Sequence, residues 1–251
     1  MGNNEPWVVI TGACGDIGQA RVKAFLAKGY QVIATDIIPP DENTPIEHFV
    51  QADLQKSVTD ENYAEETFQK IRSFLPKNKL NALINNAAVQ ILCSSEILTR
   101  TNWLETLNVN LLAPFFWSQA LLPELEAGNG SIVNISSIHA NLTKADFVAY
   151  ATSKAALSAM TRHMAVDTKR KVRINAVEPA AVATKMLEQG FADSQLSLED
   201  LERLHPIGRI ASPAEIANAA LFLCSIDASF IHGSCITVSG GIHNCLLDPV
   251  L

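Results

Sequence analysis

The amino-acid sequence predicts an α/β fold in which one parallel sheet of about seven strands carries helices on both faces. Short runs rich in β-branched residues alternate with longer helical segments along the whole length, as in folds built from βαβ units. Several of these runs are apolar on both faces, as strands buried between two helical layers must be. With 251 residues, 48% hydrophobic and 18% charged, the chain can bury a large core. We expect one domain over residues 1–251, with its core at about 7–241.

The individual elements follow one another in regular order. Strands are predicted at Trp7–Thr11, Gln31–Asp36, Phe49–Ala52, Leu80–Asn85, Ser131–Ser136, Arg173–Val177 and Cys235–Val238. Helices are predicted near 17–28, 59–75, 101–126, 149–169 and 213–225. Ser212 and Pro213 open the last helix, because a serine cap followed by proline in the first turn is a common helix start. The segment 180–206 shows neither pattern and is predicted to be a loop.

Composition argues against several classes of protein. The longest apolar run, Leu111–Trp117, is far shorter than the ~18 residues of a membrane span and contains a proline. The first residues lack the pattern of a secretory signal. Five scattered cysteines form no Cys-x-x-Cys pair, which indicates a reducing, cytoplasmic location and no zinc site. The net charge of −7 comes without a basic stripe, so we expect neither nucleic acid nor membrane as a partner.

A glycine-rich segment links the first strand to the first helix. Gly12, Gly15 and Gly18 would let the backbone turn tightly and approach a pyrophosphate at the helix N-terminus. Asp36 closes the second strand 18 residues beyond Gly18, where its carboxylate can accept hydrogen bonds from a ribose diol and would repel a 2′-phosphate. Asp36 could also do no more than end a strand. Ile37 follows without a cation, so the pattern favours NAD over NADP.

Tyr150 and Lys154 stand four residues apart within a predicted helix. Residues at this spacing share one helix face. The ammonium of Lys154 is therefore expected to lower the pKa of the Tyr150 phenol from its usual value near ~10. Such a phenol can exchange a proton with an alcohol or a ketone near neutral pH. By itself this pair is a weak signal, because ordinary surface pairs match it often.

Taken together, the motifs resemble those of the short-chain dehydrogenase/reductase family, in its single-domain branch of about this length. The resemblance extends from residue 7 to Gly241 and implies a Rossmann-type doubly wound sheet. The matching segments are the glycine-rich loop, Asp53–Leu54, Asn85–Ala88, Asn108–Asn110, Ile135–Ser137, Tyr150 with Lys154, Asn175–Pro179 with Thr184, and Gly240–Gly241.

The resemblance implies a role for each of four catalytic residues. Tyr150 would be the general acid/base, and Lys154 would lower its pKa and hold the nicotinamide ribose. Ser137, 13 residues before Tyr150, would bond the substrate oxygen and stabilise developing alkoxide charge; Ser136 competes for that role from the neighbouring position. Asn110 would hold a water that links Lys154 to solvent, or would simply be a buried helix asparagine.

The same resemblance implies a set of cofactor contacts. Asp53 and Leu54 would meet the adenine, Ala87 the adenosine ribose, and Thr184 the carboxamide or phosphate side. Asn85 is expected to tie neighbouring strands together. The complete predicted set is Gly12, Gly15, Asp16, Ile17, Gly18, Asp36, Asp53, Leu54, Asn86, Ala87, Tyr150, Lys154, Pro179, Val182 and Thr184.

Three positions depart from the family pattern. Asp16 replaces a glycine and brings a negative charge close to the predicted diphosphate. Ala180 replaces the glycine usual after Pro179, and Ser239 replaces an aspartate before the paired glycines. None of the three removes a group that the reaction needs.

The leading functional hypothesis is NAD-dependent oxidation of a secondary alcohol, or the reverse reduction. One alternative is reduction of 3-oxoacyl groups on an acyl carrier protein, which the chain's own acidity and Asp36 disfavour. Another is a non-catalytic dinucleotide sensor or scaffold. The residues expected to line the substrate pocket, His139, Asn141, Leu142, Val182 and Met186, mildly favour a polyol or sugar-like compound, and 180–206 would be the substrate loop.

Two predicted helices, 101–126 and 149–169, carry more apolar and small residues than one sheet face needs. These residues are Leu111, Leu112, Phe115, Phe116, Ala155, Ala156 and Ala159. In the family such helices pack between subunits, so we expect a homodimer or a homotetramer of dihedral symmetry. The alternative is that the same residues belong to the intramolecular core.

Overall fold

The computed structural model describes residues 5–42, 44–169, 171–185, 187 and 197–246. Its centre is a sheet of seven parallel strands in the order β3-β2-β1-β4-β5-β6-β7. All seven predicted strands are present, with ends that shift by two residues at most. Their bounds are β1 (Trp7–Thr11), β2 (Gln31–Asp36), β3 (His48–Gln51), β4 (Ala82–Asn85), β5 (Ser131–Ile135), β6 (Arg173–Pro179) and β7 (Cys235–Val238).

Helices cover both faces of the sheet, as the alternating pattern predicted. They are α1 (Asp16–Ala27), α2 (Leu54–Thr59), α3 (Glu61–Phe74), α4 (Arg100–Leu107), α5 (Ala113–Ala120), α6 (Leu122–Ala127), α7 (Val148–Thr168), α8 (Leu198–Arg203) and α9 (Pro213–Cys224). One apolar cluster lies beneath α3, α5 and α7 and includes the fully buried Trp117 and Ile71. The other lies beneath α1 and α9 and includes Phe25 and Ile216.

Three predicted segments differ from the structure. The predicted helix 59–75 begins two residues late, because Asp60 ends α2 and caps α3 by accepting a hydrogen bond from Tyr63 N at 3.0 Å. The predicted helix 101–126 is interrupted by a π-helical turn, Asn108–Leu112, and again at Leu121. Within the predicted loop 180–206, Ser197 forms a capping box that starts α8.

The strand order places a crevice at the centre of the sheet. From β1 the chain builds outward through β2 and β3 on one side, and through β4 to β7 on the other. Loops that leave neighbouring strands on opposite faces open a crevice at the carboxyl ends of those strands, where ligands bind in open α/β sheets. The residues of the candidate site follow these strand ends.

Within the described ranges, every helix is too short or too polar to cross a bilayer. In the same part of the chain, no three His, Cys, Asp or Glu side chains gather as metal ligands.

Candidate active site

The glycine-rich loop packs too tightly for side chains at two of its positions. Gly12 has a φ of +62°, and a Cβ there would lie 2.7 Å from the Cα of Ala87. A Cβ on Gly18 would collide with the carbonyl oxygen of Gly12. Gly15 is different, since the nearest atom to its Cβ position is 3.8 Å away. Gly12 and Gly18 are therefore packed against neighbouring backbone atoms, whereas Gly15 borders open space.

Asn86 clamps this loop to the end of β4. Its side-chain nitrogen donates to the carbonyl oxygens of Thr11 at 2.9 Å and Gly12 at 2.8 Å. Its side-chain oxygen accepts a hydrogen bond from Nη1 of Arg21. The side chain of Asn86 thus holds the loop in place, and its predicted contact with the cofactor stays a prediction. Asn85 ties β4 to β5 as expected, with its side-chain nitrogen 2.8 Å from Oδ1 of Asn134.

Asp36 lies beside the glycine-rich loop. Its carboxylate accepts hydrogen bonds from the backbone nitrogens of Cys14 and Ile37, each at 2.8 Å. Burial, with Asp36 close by, raises the pKa of the Cys14 thiol to about 11, so the thiol stays protonated. None of the described residues forms an ion pair with Asp36, and Ile37 and Ile38 are exposed. The carboxylate can accept bonds from a ribose diol at this place.

Ser137 and Tyr150 meet where β5 ends. Ser137 follows β5 and caps a short 3₁₀ turn, its hydroxyl accepting from His139 N at 3.2 Å. Tyr150 lies in the first turn of α7. Burial raises the pKa of the Tyr150 phenol, and its hydrogen bond with Ser137 opposes that rise. The phenol is therefore protonated at neutral pH and can donate to an oxygen placed beside both side chains.

Lys154 does not act on Tyr150 as the sequence predicted. Its ammonium donates to the carbonyl oxygen of Ile135 at 2.7 Å and lies 5.6 Å from the centroid of the Tyr150 ring. Lys154 is only 2% exposed, and burial, with the positive charge of Arg21, lowers its pKa to about 7. The two side chains are neighbours, but the pKa of Tyr150 is raised, with burial as its largest cause and the hydrogen bond with Ser137 opposing it, so the lowering expected from Lys154 is not found.

Asn110 lies at the centre of the π-helical turn and is fully buried. Its two side-chain N–H groups bond to Val89 O at 2.9 Å and to Ser153 Oγ at 3.0 Å, and its oxygen accepts from Val89 N. Both amide donors are thus occupied by protein atoms. The predicted water relay at Asn110 stays a prediction.

The remaining predicted cofactor residues follow strand ends along the same edge. Asp53 follows β3 and caps α2, its side chain accepting from Lys56 N at 3.1 Å. Pro179 ends β6, and Thr184 lies just beyond it, its hydroxyl accepting from Leu187 N at 3.2 Å. The other residues at this edge are Ile17 in α1, Leu54 beside Asp53, Ala87 beside Asn86, and the buried Val182. Met186 lies outside the described residues.

The three departures from the family pattern have distinct local roles. Asp16 accepts a hydrogen bond from Lys185 N at 2.7 Å and so ties α1 to the segment after β6. Ser239 bonds through its hydroxyl to Nδ1 of His243 at 2.9 Å. The backbone nitrogen of Ala180 donates to Val238 O at 3.1 Å. Of the three, only Asp16 is itself part of the glycine-rich loop.

Sequence reasoning missed the role of a buried carboxylate beside the predicted substrate pocket. Glu178 accepts a hydrogen bond from Ser158 Oγ at 2.7 Å and another from Asn141 Nδ2 at 3.1 Å. It thereby anchors the segment that follows Ser137. His139 in that segment stacks on Phe147 at 4.4 Å between ring centroids, and burial lowers its pKa. A glutamate directly after the predicted strand Arg173–Val177 was the available signal.

Arg21 was also missed. It lies on the inner face of α1 with Gly18, Val22 and Phe25, and it is fully buried. The spacing of three, four and seven residues from Gly18 marks this face as one that packs on the sheet. A cation on such a face could have been noticed in the sequence.

A cavity of about 760 Å³ lies between α1 and α9. It touches the predicted site only through Asp16 and Thr184, and its other lining includes Lys23, Ser212 and Asn218. The catalytic side chains are not part of it.

Comparison with known proteins agrees with this geometry. A family model described as "Enoyl-(Acyl carrier protein) reductase" matches residues 12–243. Protein FixR of Bradyrhizobium diazoefficiens is 34% identical, over 95% of this chain and 87% of that protein. The NAD-dependent glycerol dehydrogenase of Listeria innocua is 33% identical, over 93% and 92%. The ligand-free aldohexose dehydrogenase of Thermoplasma acidophilum superposes with a TM-score of 0.87 at 28% identity, over 97% and 96%.

The sheet order, the position of the site and these similarities identify an oxidoreductase with a Rossmann-type fold. The chain belongs to the short-chain dehydrogenase/reductase family.

Proposed function

We propose that this protein transfers a hydride between NAD(H) and the carbon of a secondary alcohol or ketone, with polyols or sugar-like compounds as its substrates. The observation that carries the proposal is the meeting of Ser137, Tyr150 and Lys154 at the strand ends beside the glycine-rich loop. Proton transfer and dinucleotide binding are thereby brought to one edge of the sheet.

The phenol of Tyr150 moves the proton. In ketone reduction, Tyr150 donates its hydroxyl proton to the substrate oxygen, while the Ser137 hydroxyl donates a hydrogen bond to the same oxygen and stabilises its developing charge. In alcohol oxidation, the phenolate form takes the proton of the alcohol. Burial raises the pKa of Tyr150, so near neutral pH the phenol holds the proton that the reduction step donates.

The residues of the cleft fit a dinucleotide. The Gly12–Gly18 loop can approach a diphosphate with its backbone N–H groups at the start of α1, and Gly15 borders open space there. Asp36 and Asp53 would hold the adenosine end, and Lys154 and Thr184 the nicotinamide end. NAD, when bound, supplies the carbon that accepts or releases the hydride.

The preference for NAD rests on Asp36. Its carboxylate accepts two backbone hydrogen bonds and retains lone pairs for a ribose diol. A 2′-phosphate at the same place would meet like charge, and the exposed neighbours Ile37 and Ile38 offer it no cation. The similarity to an NAD-dependent glycerol dehydrogenase points the same way.

The substrate class rests on polar groups near Tyr150. His139 and Asn141 follow Ser137, and Asn141 is held by the buried Glu178. A neutral imidazole and an amide can bond hydroxyl groups of a polyol in either direction. The similarity to proteins named as glycerol and aldohexose dehydrogenases supports this class.

The experiment is a turnover panel with purified protein. Glycerol, sugar alcohols, aldoses, cyclic secondary alcohols and 3-oxoacyl thioesters are each assayed with NAD(H) and with NADP(H) at 340 nm. We expect the turnover rate of polyol or sugar oxidation with NAD to exceed that of every other combination of substrate and cofactor. Turnover of the thioesters alone, or no turnover while the protein is folded, would contradict the proposal.

We also propose that the protein is a homodimer or homotetramer in the cytoplasm. Leu104, Leu112, Phe116 and Val148 on α4 to α7 each expose more than a third of their surface, and apolar side chains of this kind mark subunit contacts. All five cysteines are free thiols, as is usual in a reducing compartment. A light-scattering mass of one subunit would contradict the assembly.

A further inference from the structure

Arg21 is a fully buried cation with too few partners. Its Nη1 donates to Oδ1 of Asn86, whereas Nε and Nη2 are buried without a hydrogen-bond partner. A buried N–H group without a partner destabilises the folded protein, and a charged group does so more strongly. Among the described residues, no carboxylate forms an ion pair with Arg21. Burial lowers its pKa to about 9, so the guanidinium still carries its charge at neutral pH.

A second buried cation adds to this charge. Lys154 is 2% exposed, and its ammonium donates a hydrogen bond to the neutral carbonyl of Ile135. The positive charge of Arg21 disfavours the protonated form of Lys154, so the two groups repel each other. Two buried like charges without an anion are an arrangement that a folded protein tolerates only at a cost in stability.

The position of Arg21 indicates where the missing anion belongs. Arg21 lies five residues after Asp16, the first residue of α1, or about 7.5 Å along the helix axis. Long side chains of a helix point back towards its N-terminus, and the bond to Asn86 agrees with that direction. Only the side-chain amide of Asn86 therefore stands between the guanidinium and the carbonyls of Thr11 and Gly12.

The same bond sets the orientation of Asn86. Because Arg21 can only donate, it requires the oxygen of the amide to face it. The nitrogen of the amide then faces Thr11 and Gly12, whose carbonyls can only accept. Arg21 thus holds the clamp of the glycine-rich loop in its working orientation.

We propose that Arg21 is a positioning residue for the dinucleotide diphosphate: it fixes the glycine-rich loop through Asn86, and its buried charge is compensated when the diphosphate binds at that loop. This inference rests on the proposed dinucleotide binding. The inference predicts that Arg21 has opposite effects on the stability of the ligand-free protein and on its affinity for the ligand. The charge destabilises the ligand-free protein and strengthens the binding of a ligand that carries a diphosphate.

Two variants separate the charge of Arg21 from its clamp. Arg21→Gln keeps a donor for Asn86 but removes the charge, and Arg21→Lys keeps the charge. Lys23→Gln is the matched control, since it removes the same charge from an exposed position of the same helix. The probes are NADH, ADP-ribose, which has the diphosphate without the nicotinamide, and adenosine, which has no phosphate. Binding is measured by titration calorimetry, and the melting temperature of each ligand-free protein by calorimetric scanning.

We expect Arg21→Gln to bind NADH and ADP-ribose at least about tenfold more weakly than the wild type, with adenosine binding unchanged. The ligand-free Arg21→Gln protein should melt at a higher temperature, while Arg21→Lys and Lys23→Gln stay close to the wild type in both measurements. Equal binding of ADP-ribose by Arg21→Gln and wild type would overturn the inference, as would an equal loss for adenosine or a lower melting temperature. If the wild type itself bound neither NADH nor ADP-ribose, the proposed function would fail as well.

Discussion

Replacing Lys154 with methionine should make the ligand-free protein more stable at neutral pH. Lys154 is buried without an anionic partner, and its pKa falls from the ordinary 10.5 to about 7. Below pH 7 the ammonium is charged in both the folded and the unfolded chain, so its cost to the folded state is fully present. As the pH rises from 7 to 10.5, the folded protein releases the proton first and the free energy of unfolding increases.

The size of the effect follows from that interval. At about 1.4 kcal/mol for each tenfold change in proton affinity, the cost of the buried ammonium reaches roughly 5 kcal/mol. Methionine removes this cost but leaves the carbonyl of Ile135 without its hydrogen bond, which costs about 2 kcal/mol. Lys154→Met should therefore be about 3 kcal/mol more stable than the wild type at pH 6.5, and about 1 kcal/mol less stable near pH 10.

The assay is urea unfolding of both proteins between pH 6 and pH 10, without dinucleotide. The exposed Lys28→Met serves as the control and should track the wild type at every pH. The free energy of unfolding is plotted against pH for Lys154→Met and for the wild type. Parallel plots across this range would refute the reasoning, because they would show that Lys154 keeps an ordinary pKa in the folded state.

Three further predictions concern individual side chains of the cleft. Asp36→Ala should raise the KM for NAD roughly tenfold, the loss expected for a hydrogen bond to a charged group, and improve kcat/KM with NADP; unchanged steady-state kinetics with both cofactors would contradict the role of Asp36. Asn141→Asp places a carboxylate against the buried Glu178, so the KM for the substrate should rise. The Kd of NADH, measured by fluorescence titration, should stay the same. A parallel rise in both constants would show that the contact between residues 141 and 178 does not act on the substrate side alone. Gly18→Ala sets a methyl group against the carbonyl of Gly12 and should cost about 2–3 kcal/mol in urea unfolding and abolish NADH binding; normal stability would mean that the loop is not packed as described.

The sheet and the line of site residues were predictable because both depend on local pattern. Each strand is a short buried run, and the order of strand and helix allows only parallel pairing through helical crossovers. Asp36, Asp53, Ser137 and Pro179 could be placed together because each follows or ends such a run, and the carboxyl ends of parallel strands share one edge. Fold and site position follow from the sequence for this reason.

The interruptions of the helices were not predictable from periodicity. The π-helical turn at Asn108–Leu112 preserves the apolar pattern while it adds one residue to the turn. Asp60 ends one helix and caps the next through its own side chain, so the pattern runs on without a visible break. Both features depend on which hydrogen bonds form, and a pattern of apolar residues does not encode them.

The electrostatics of the site were also beyond the sequence. The spacing of Tyr150 and Lys154 correctly makes them neighbours, but the pKa of each depends on burial, which raises the first and lowers the second. Arg21 contributes to the change at Lys154 from another helix, and no spacing rule connects positions 21 and 154. A catalytic pair can therefore be recognised from its sequence motif, whereas its protonation state depends on the atoms that surround it in the fold.

The central claim is that the phenol of Tyr150 exchanges the proton of the substrate oxygen. The most direct test compares Tyr150→Phe with the wild type in NAD-dependent oxidation of the best alcohol from the panel, with Tyr30→Phe as a control that removes a hydroxyl far from the site. We predict that Tyr150→Phe still binds NADH but loses at least about 100-fold in kcat, the usual worth of a general acid/base, and that Tyr30→Phe keeps wild-type turnover. Wild-type turnover by Tyr150→Phe would contradict the account.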